Sequence, residues 1–130
     1  MKYKNIVRGS GFYDLFITAP FMFPTFTVAL IEAFKPIGDF FGLERTTMVL
    51  TADTLPWISL MATIVTVWSV LRILNPDRIY GLYDAVARFG FSFWFVFYPL
   101  VYLTSELTYL FLPAELAWGI VQLYGYWKIK

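Results

Sequence analysis

The sequence predicts an all-α integral membrane bundle of four transmembrane helices, antiparallel and up-down. Three observations carry that prediction. Of the 130 residues 59% are hydrophobic and only 15% charged, with a mean hydropathy of +0.65, whereas an average soluble domain carries about 25% charged residues. Apolar runs of spanning or near-spanning length are separated by breaks rich in proline, glycine and acidic or basic residues. The basic residues are distributed unevenly among those breaks, as the loops of a multi-pass protein are.

The first run, Phe12 to Phe34, follows Lys2, Lys4 and Arg8. It is longer than a signal-peptide core and contains Asp14, so it reads as a transmembrane helix rather than a cleaved leader. Its 23 residues would reach about 34 Å, enough to cross a hydrocarbon core of about 30 Å. Pro20 and Pro24 each remove a backbone donor, which predicts a kink near its middle. Residues 35–55 form the only long connection, broken early by Pro36, Gly38 and Gly42 yet still partly apolar, and are expected to lie in the interface.

Asp53 or Thr54 supplies a side-chain cap and Pro56 a first turn for the second span, 56–74. The run from Arg72 to Arg78 contains Asn75, Pro76 and Asp77 and reads as a short polar turn, which forces an antiparallel hairpin. The third span is placed at 80–105, with Pro99 a kink. Glu106 to Phe111 turns the chain, and Pro113 and Glu115 suit the first turn of a fourth span over 112–127.

Four crossings would put both ends of the chain on one side, together with Lys2, Lys4, Arg8, Arg72, Arg78, Arg88, Lys128 and Lys130, against Lys35 and Arg45 opposite. The positive-inside rule then makes that side cytoplasmic, in the plasma (inner) membrane. Glu32, Asp39, Glu44, Asp53, Glu106 and Glu115 fall on the outer side in this arrangement.

Polar residues recur inside the spans at helical spacing. Asp14, Thr18, Thr25 and Glu32 share a face of the first helix, Ser59, Thr63 and Thr66 of the second, Asp84, Arg88, Ser92, Tyr102 and Glu106 of the third, and Glu115, Trp118, Gln122 and Tyr126 of the fourth. Such stripes arise from hydrogen bonding between packed helices and also from a ligand cavity or permeation path. A second regularity is the motif R-x-x-G-[F/L]-Y-D. It occurs at Arg8–Asp14 and again at Arg78–Asp84, each time opening an apolar run. Tyrosine anchors and snorkelling arginines at the membrane boundary produce such matches by composition, and a duplicated two-helix unit, a parallel repeat, produces them by descent.

Arg8, Asp14, Arg78, Asp84 and Arg88 form the candidate charge cluster. Asp84 and Arg88 are four apart on one helix face, and Asp14 enters the first helix at a comparable depth, so Arg88 is expected to bridge the two acids. The chain has no cysteine and no histidine, which removes thiolate and imidazole chemistry and the usual ligands of haem and zinc. A net charge of +1 gives no basis for nucleic-acid binding, and no phosphate loop or di-metal carboxylate spacing is present.

The four-helix layout with a basic residue before the first span resembles small bacterial membrane families such as the DoxX-like proteins. The resemblance lies in topology, and it implies a multi-pass fold without assigning residues or activity. With no room for a soluble catalytic domain, the expected role is non-enzymatic: binding a lipid-like or apolar small molecule, or serving as accessory subunit of a larger membrane complex. The alternative is a proton- or ion-coupled small transporter working as a homo-oligomer. No cofactor is expected, and membrane lipid is the expected partner.

Overall fold

Proline chemistry sets the first large feature of the fold. In a computed structural model, which describes residues 2–129, α1 runs over Tyr3–Thr18 and passes into a 3₁₀ turn, Ala19–Met22. Pro24 then disfavours a helical conformation at Phe23, which is extended at φ −105° and ψ 121°, and starts α2, Pro24–Phe40. The chain direction turns by 113° at this point. The expected span over 12–34 is therefore not one kinked helix. It begins earlier, at Tyr3, and breaks completely at Phe23, because two prolines four positions apart remove more of the helical ladder than one helix can absorb.

α2 lies across the end of the bundle and buries Thr27, Ile31 and Gly38 at helical spacing. The hydroxyl of Thr27 donates to the carbonyls of Phe21 and Phe23 on the far side of the break, and its amide also donates to the Phe23 carbonyl at 3.0 Å. Pro36 and Gly38 do not stop the helix, contrary to the expectation from sequence. Gly38 is there for contact, since a Cβ would lie 2.9 Å from both Leu107 Cδ2 and Thr46 Cγ2. The helix ends instead at Gly42, whose φ of +76° is the left-handed conformation that glycine adopts without steric cost.

After an irregular segment, α3 covers Leu55–Leu74. Thr54 is its N-cap residue but caps nothing in the helix, because its hydroxyl turns back to accept from the Thr51 amide at 2.8 Å. α4 covers Arg78–Tyr102, opened by the Asp77 side chain accepting from the Ile79 amide, and α5 covers Leu112–Lys128. Pro99 sits inside α4 and cannot donate to the Phe95 carbonyl four residues back. The Thr108 hydroxyl does so instead, at 3.0 Å, and Arg45 donates to the Pro99 carbonyl at 3.1 Å. α4 ends where Leu103 adopts φ 53°, so Glu106 lies beyond it in a second 3₁₀ turn, Glu106–Leu110. There Glu106 pairs with Arg45 at 2.7 Å and accepts from the Glu44 amide at 2.8 Å, which pins the 41–54 segment to this end of the bundle.

The described residues contain five α-helices, two 3₁₀ turns and no strand. α1 packs mainly on α3, and α4 on α5. α1 also touches α4 and α5 and so joins the two pairs. Two helices, Leu55–Leu74 and Arg78–Tyr102, are long and apolar enough to cross a membrane, or three crossings result if the bent α1–α2 pair is one span. Their apolar surface points outward: only 17% of the most apolar stretch of α3 and 22% of that of α4 is buried. Large side chains such as Trp57, Ile64, Val67, Phe93 and Leu100 are exposed. Apolar surface of this extent suits a hydrocarbon surrounding better than water.

Candidate functional site

The interior of this bundle is charged where an ordinary core would be apolar. Its largest fully buried side chains are Arg72 and Arg88. Each lies on the one stripe that its helix turns inward: Ala62, Ser69 and Arg72 on α3, and Gly81, Asp84, Ala85, Arg88 and Ser92 on α4. α1 contributes Ser10 and Asp14, and α5 contributes Gln122 with Glu115, which precedes Gly119 by four positions.

These side chains form one network. Arg88 donates from Nη2 to Asp14 Oδ2 at 2.6 Å, from Nε to Asp84 Oδ2 at 2.9 Å and from Nη1 to Glu115 Oε2 at 3.0 Å. Arg72 donates from Nη1 to Asp84 Oδ2 and to Ser10 Oγ, both at 2.6 Å, and from Nη2 to the Asp14 carboxylate. Trp68 Nε1 donates to Asp84 Oδ1 at 2.9 Å, and the Gln122 amide to Ser10 Oγ at 2.6 Å. The guanidinium of Arg72 lies 5.5 Å from the Trp68 ring, and that of Arg88 lies 5.9 Å from the Tyr13 ring. Three acidic side chains thus face two guanidiniums, one acid more than the bases at the centre. Among the described residues no three acidic side chains are placed to hold a metal ion, since each acid here faces an arginine.

The structure brings together Asp14, Asp84 and Arg88 of the sequence-derived cluster and leaves Arg8 and Arg78 outside it. Those two arginines do a matching job at the other end of their helices. Arg8 donates to the Ile73 carbonyl at the end of α3, 3.1 Å away, and Arg78 donates to the Tyr126 and Ile129 carbonyls at the end of α5. In each copy of the motif the arginine therefore caps the last turn of a partner helix while the aspartate enters the network. Arg78 also lies over the rings of Tyr3 and Tyr126.

The polar stripes divide similarly. Gln122 and Ser92 are buried, whereas Thr25, Glu32 and Tyr102 are exposed and Thr18 is half-buried outside the network. The 113° turn at Phe23 takes Thr25 and Glu32 off the face that carries Asp14. Two charged members of the network, Arg72 and Glu115, are absent from the sequence-derived cluster, and so are Ser10 and Trp68. Arg72 reads from sequence as part of the polar turn after the second span, but α3 continues through it; its i+3 spacing from Ser69 is the signal that points inward. Glu115 reads as a residue of the outer boundary, and its place on a stripe with Gln122 is the signal for its inward position.

One turn beyond Arg88 on α4, Ser92 marks a second feature. A groove of about 500 Å³ runs between α4 and α5, lined by Phe89, Phe93, Val96, Phe97, Leu112 and Leu116 among others, with the Ser92 side chain on its wall. The Ser92 hydroxyl is buried and has no hydrogen-bond partner among the described residues.

Compared with protein-family models, with curated proteins and with solved structures, the chain finds no match in any of the three. The resemblance in layout to the DoxX-like proteins therefore carries no family assignment, and function is argued from the site alone.

Proposed function

We propose that this is a small, non-enzymatic multi-pass protein of the plasma (inner) membrane that holds a lipid-like or apolar small molecule in the α4–α5 groove. It acts alone or as an accessory subunit of a larger membrane complex. Four crossings are made by α1 with its 3₁₀ turn, α3, α4 and α5, and both termini are cytoplasmic. α2 and the 41–54 segment lie in the outer interface.

The observation that carries the reading is the groove. Its size of about 500 Å³ falls in the range of about 300–1,000 Å³ typical of small-molecule sites, and its lining is aromatic and aliphatic. The outward apolar faces of α3 and α4 support the membrane setting. The test is lipid analysis of protein extracted in native-membrane particles. Wild type should retain a lipid species that Leu116→Trp, which fills the groove, has lost while still folded; identical lipid complements would contradict the proposal.

The unbalanced charge network favours one second reading, a proton- or ion-coupled transporter built as an oligomer around Asp14, Asp84 and Arg88. An acidic side chain in excess of its basic partners, as the part-buried Glu115 provides, is a place where a proton or small cation can be taken up and released. Proteoliposomes that carry a pH-driven flux lost in Asp84→Asn, together with dimers or higher species on crosslinking in lipid, would favour this reading over the first.

A further inference from the structure

We infer that the α4–α5 groove selects an uncharged lipid with a single terminal hydroxyl, of the long-chain or isoprenoid alcohol class, whose head hydrogen-bonds to Ser92. The inference rests on the groove reading above and adds the chemistry of the head. Helical hydroxyls in apolar surroundings normally bond their own helix, and in this chain Ser10, Thr63 and Ser69 do so, whereas Thr66 and Ser92 have no partner among the described residues and only Ser92 of these two lines the groove. Ser10 donates to the Val7 carbonyl at 2.9 Å, Thr63 to Ser59 at 2.7 Å and Ser69 to Val65 at 2.7 Å. Ser92 does not, although it is 6% exposed and sits in the wall of the groove. A buried hydroxyl without a partner is costly in hydrocarbon, and a ligand oxygen at this point removes the cost.

Three further features define the head and tail. Ser92 is the only side chain with a polar hydroxyl, amide or charge among those lining the groove, which suits a ligand with one polar group. It lies about 21 Å along α4 from Arg78, near the middle of the helix, a depth that the charged headgroup of a diacyl lipid does not reach. The neighbouring guanidiniums are both taken up by Asp14, Asp84 and Glu115, so an anionic head finds no free cation there. From Phe89 to Val101 the groove follows α4 for about 18 Å, and the Phe93 and Phe97 rings stack at 5.6 Å along it, which fits a single extended chain.

The test is photolabelling of the full chain, in phosphatidylcholine nanodiscs, with a diazirine-bearing hexadecanol, read as saturable labelling of the 89–101 segment. Hexadecanol should compete, with hexadecane, hexadecanoate and hexadecylamine weaker. Ser92→Ala should lower apparent affinity about two- to tenfold, the loss of one hydrogen bond, and Ser92→Thr should restore it. If Leu116→Trp abolishes labelling while Ser92→Ala leaves it unchanged, the head assignment is wrong and the groove reading stands. If neither substitution matters, the label reports bulk lipid only and both fall. Stronger competition by the carboxylate or the amine overturns the uncharged head.

Discussion

Arg88 and Asp14 lie 74 positions apart in the chain and meet through a 2.6 Å hydrogen bond between a guanidinium on α4 and a carboxylate on α1. The contact joins the α1–α3 pair to the α4–α5 pair, which otherwise share far less packing than each has internally. Arg72 makes the same connection from the other side, from α3 to Asp84 on α4. With both arginines buried, water cannot replace these partners, so removing one member would leave buried charges unpaired.

The proposed four-crossing arrangement makes a direct topological prediction. The chain has no cysteine, so single cysteines can be placed without background. Thr51→Cys and Asn75→Cys, both at exposed positions, should be labelled by a membrane-impermeant maleimide from opposite sides of sealed vesicles, Thr51→Cys from the outside. Labelling of both from one side would rule out the arrangement.

A second prediction concerns Pro99 and Thr108. Thr108→Val removes the side-chain donor to the Phe95 carbonyl and should cost about 1–3 kcal/mol, measured by thermal unfolding in detergent. Adding Pro99→Ala restores a backbone donor at the right place in the helix. The double variant should therefore be more stable than Thr108→Val alone, and a further loss would show that the hydroxyl does not substitute for the missing amide.

The third prediction concerns the close approach of α1 to α4. A Cβ at Gly81 would overlap the Tyr3 hydroxyl and lie 2.7 Å from Val7 Cγ2, with Val7 fully buried and unable to move away. Gly81→Ala should therefore destabilise by about 1–3 kcal/mol, as overpacking does. Tyr3→Phe combined with it should recover part of that loss by removing the overlapping oxygen. The equivalent change at Gly90, where a Cβ meets nothing within 4 Å, should leave stability unchanged or slightly raised. Equal effects at the two glycines would contradict the packing described.

These residues also show how far local sequence patterns reach. The helices α3, α4 and α5 announce themselves as apolar runs ended by Asn75, Pro76 and the Glu106 region, and the four-residue spacing of Asp84 and Arg88 is enough to place the pair on one helix face. The turn at Phe23 is harder to read, because a proline kink and a complete break have the same residues and differ only in whether Pro24 starts a new helix. Arg72 is ambiguous for a related reason: beside a polar turn, an arginine that ends a helix and one that snorkels to the interface look alike until the inward stripe of α3 is traced. Glu115 depends on long-range pairing with Arg88, 27 positions away, which no local pattern encodes. Ser92 is visible as a polar residue in an apolar helix, but its lack of a partner is a property of the packing.

The most direct test of the network's role compares Arg88→Gln with a charge-matched variant that adds Asp14→Asn and Glu115→Gln, so that Arg72 and Asp84 remain as a balanced pair. Thermal unfolding in detergent should show Arg88→Gln destabilised by about 3–5 kcal/mol, because the buried Asp14 and Asp84 and the part-buried Glu115 then face one guanidinium. The matched variant should recover at least half of that loss. If it unfolds at the same temperature as Arg88→Gln alone, or if Arg88→Gln is as stable as wild type, the buried charges do not hold the two helix pairs together.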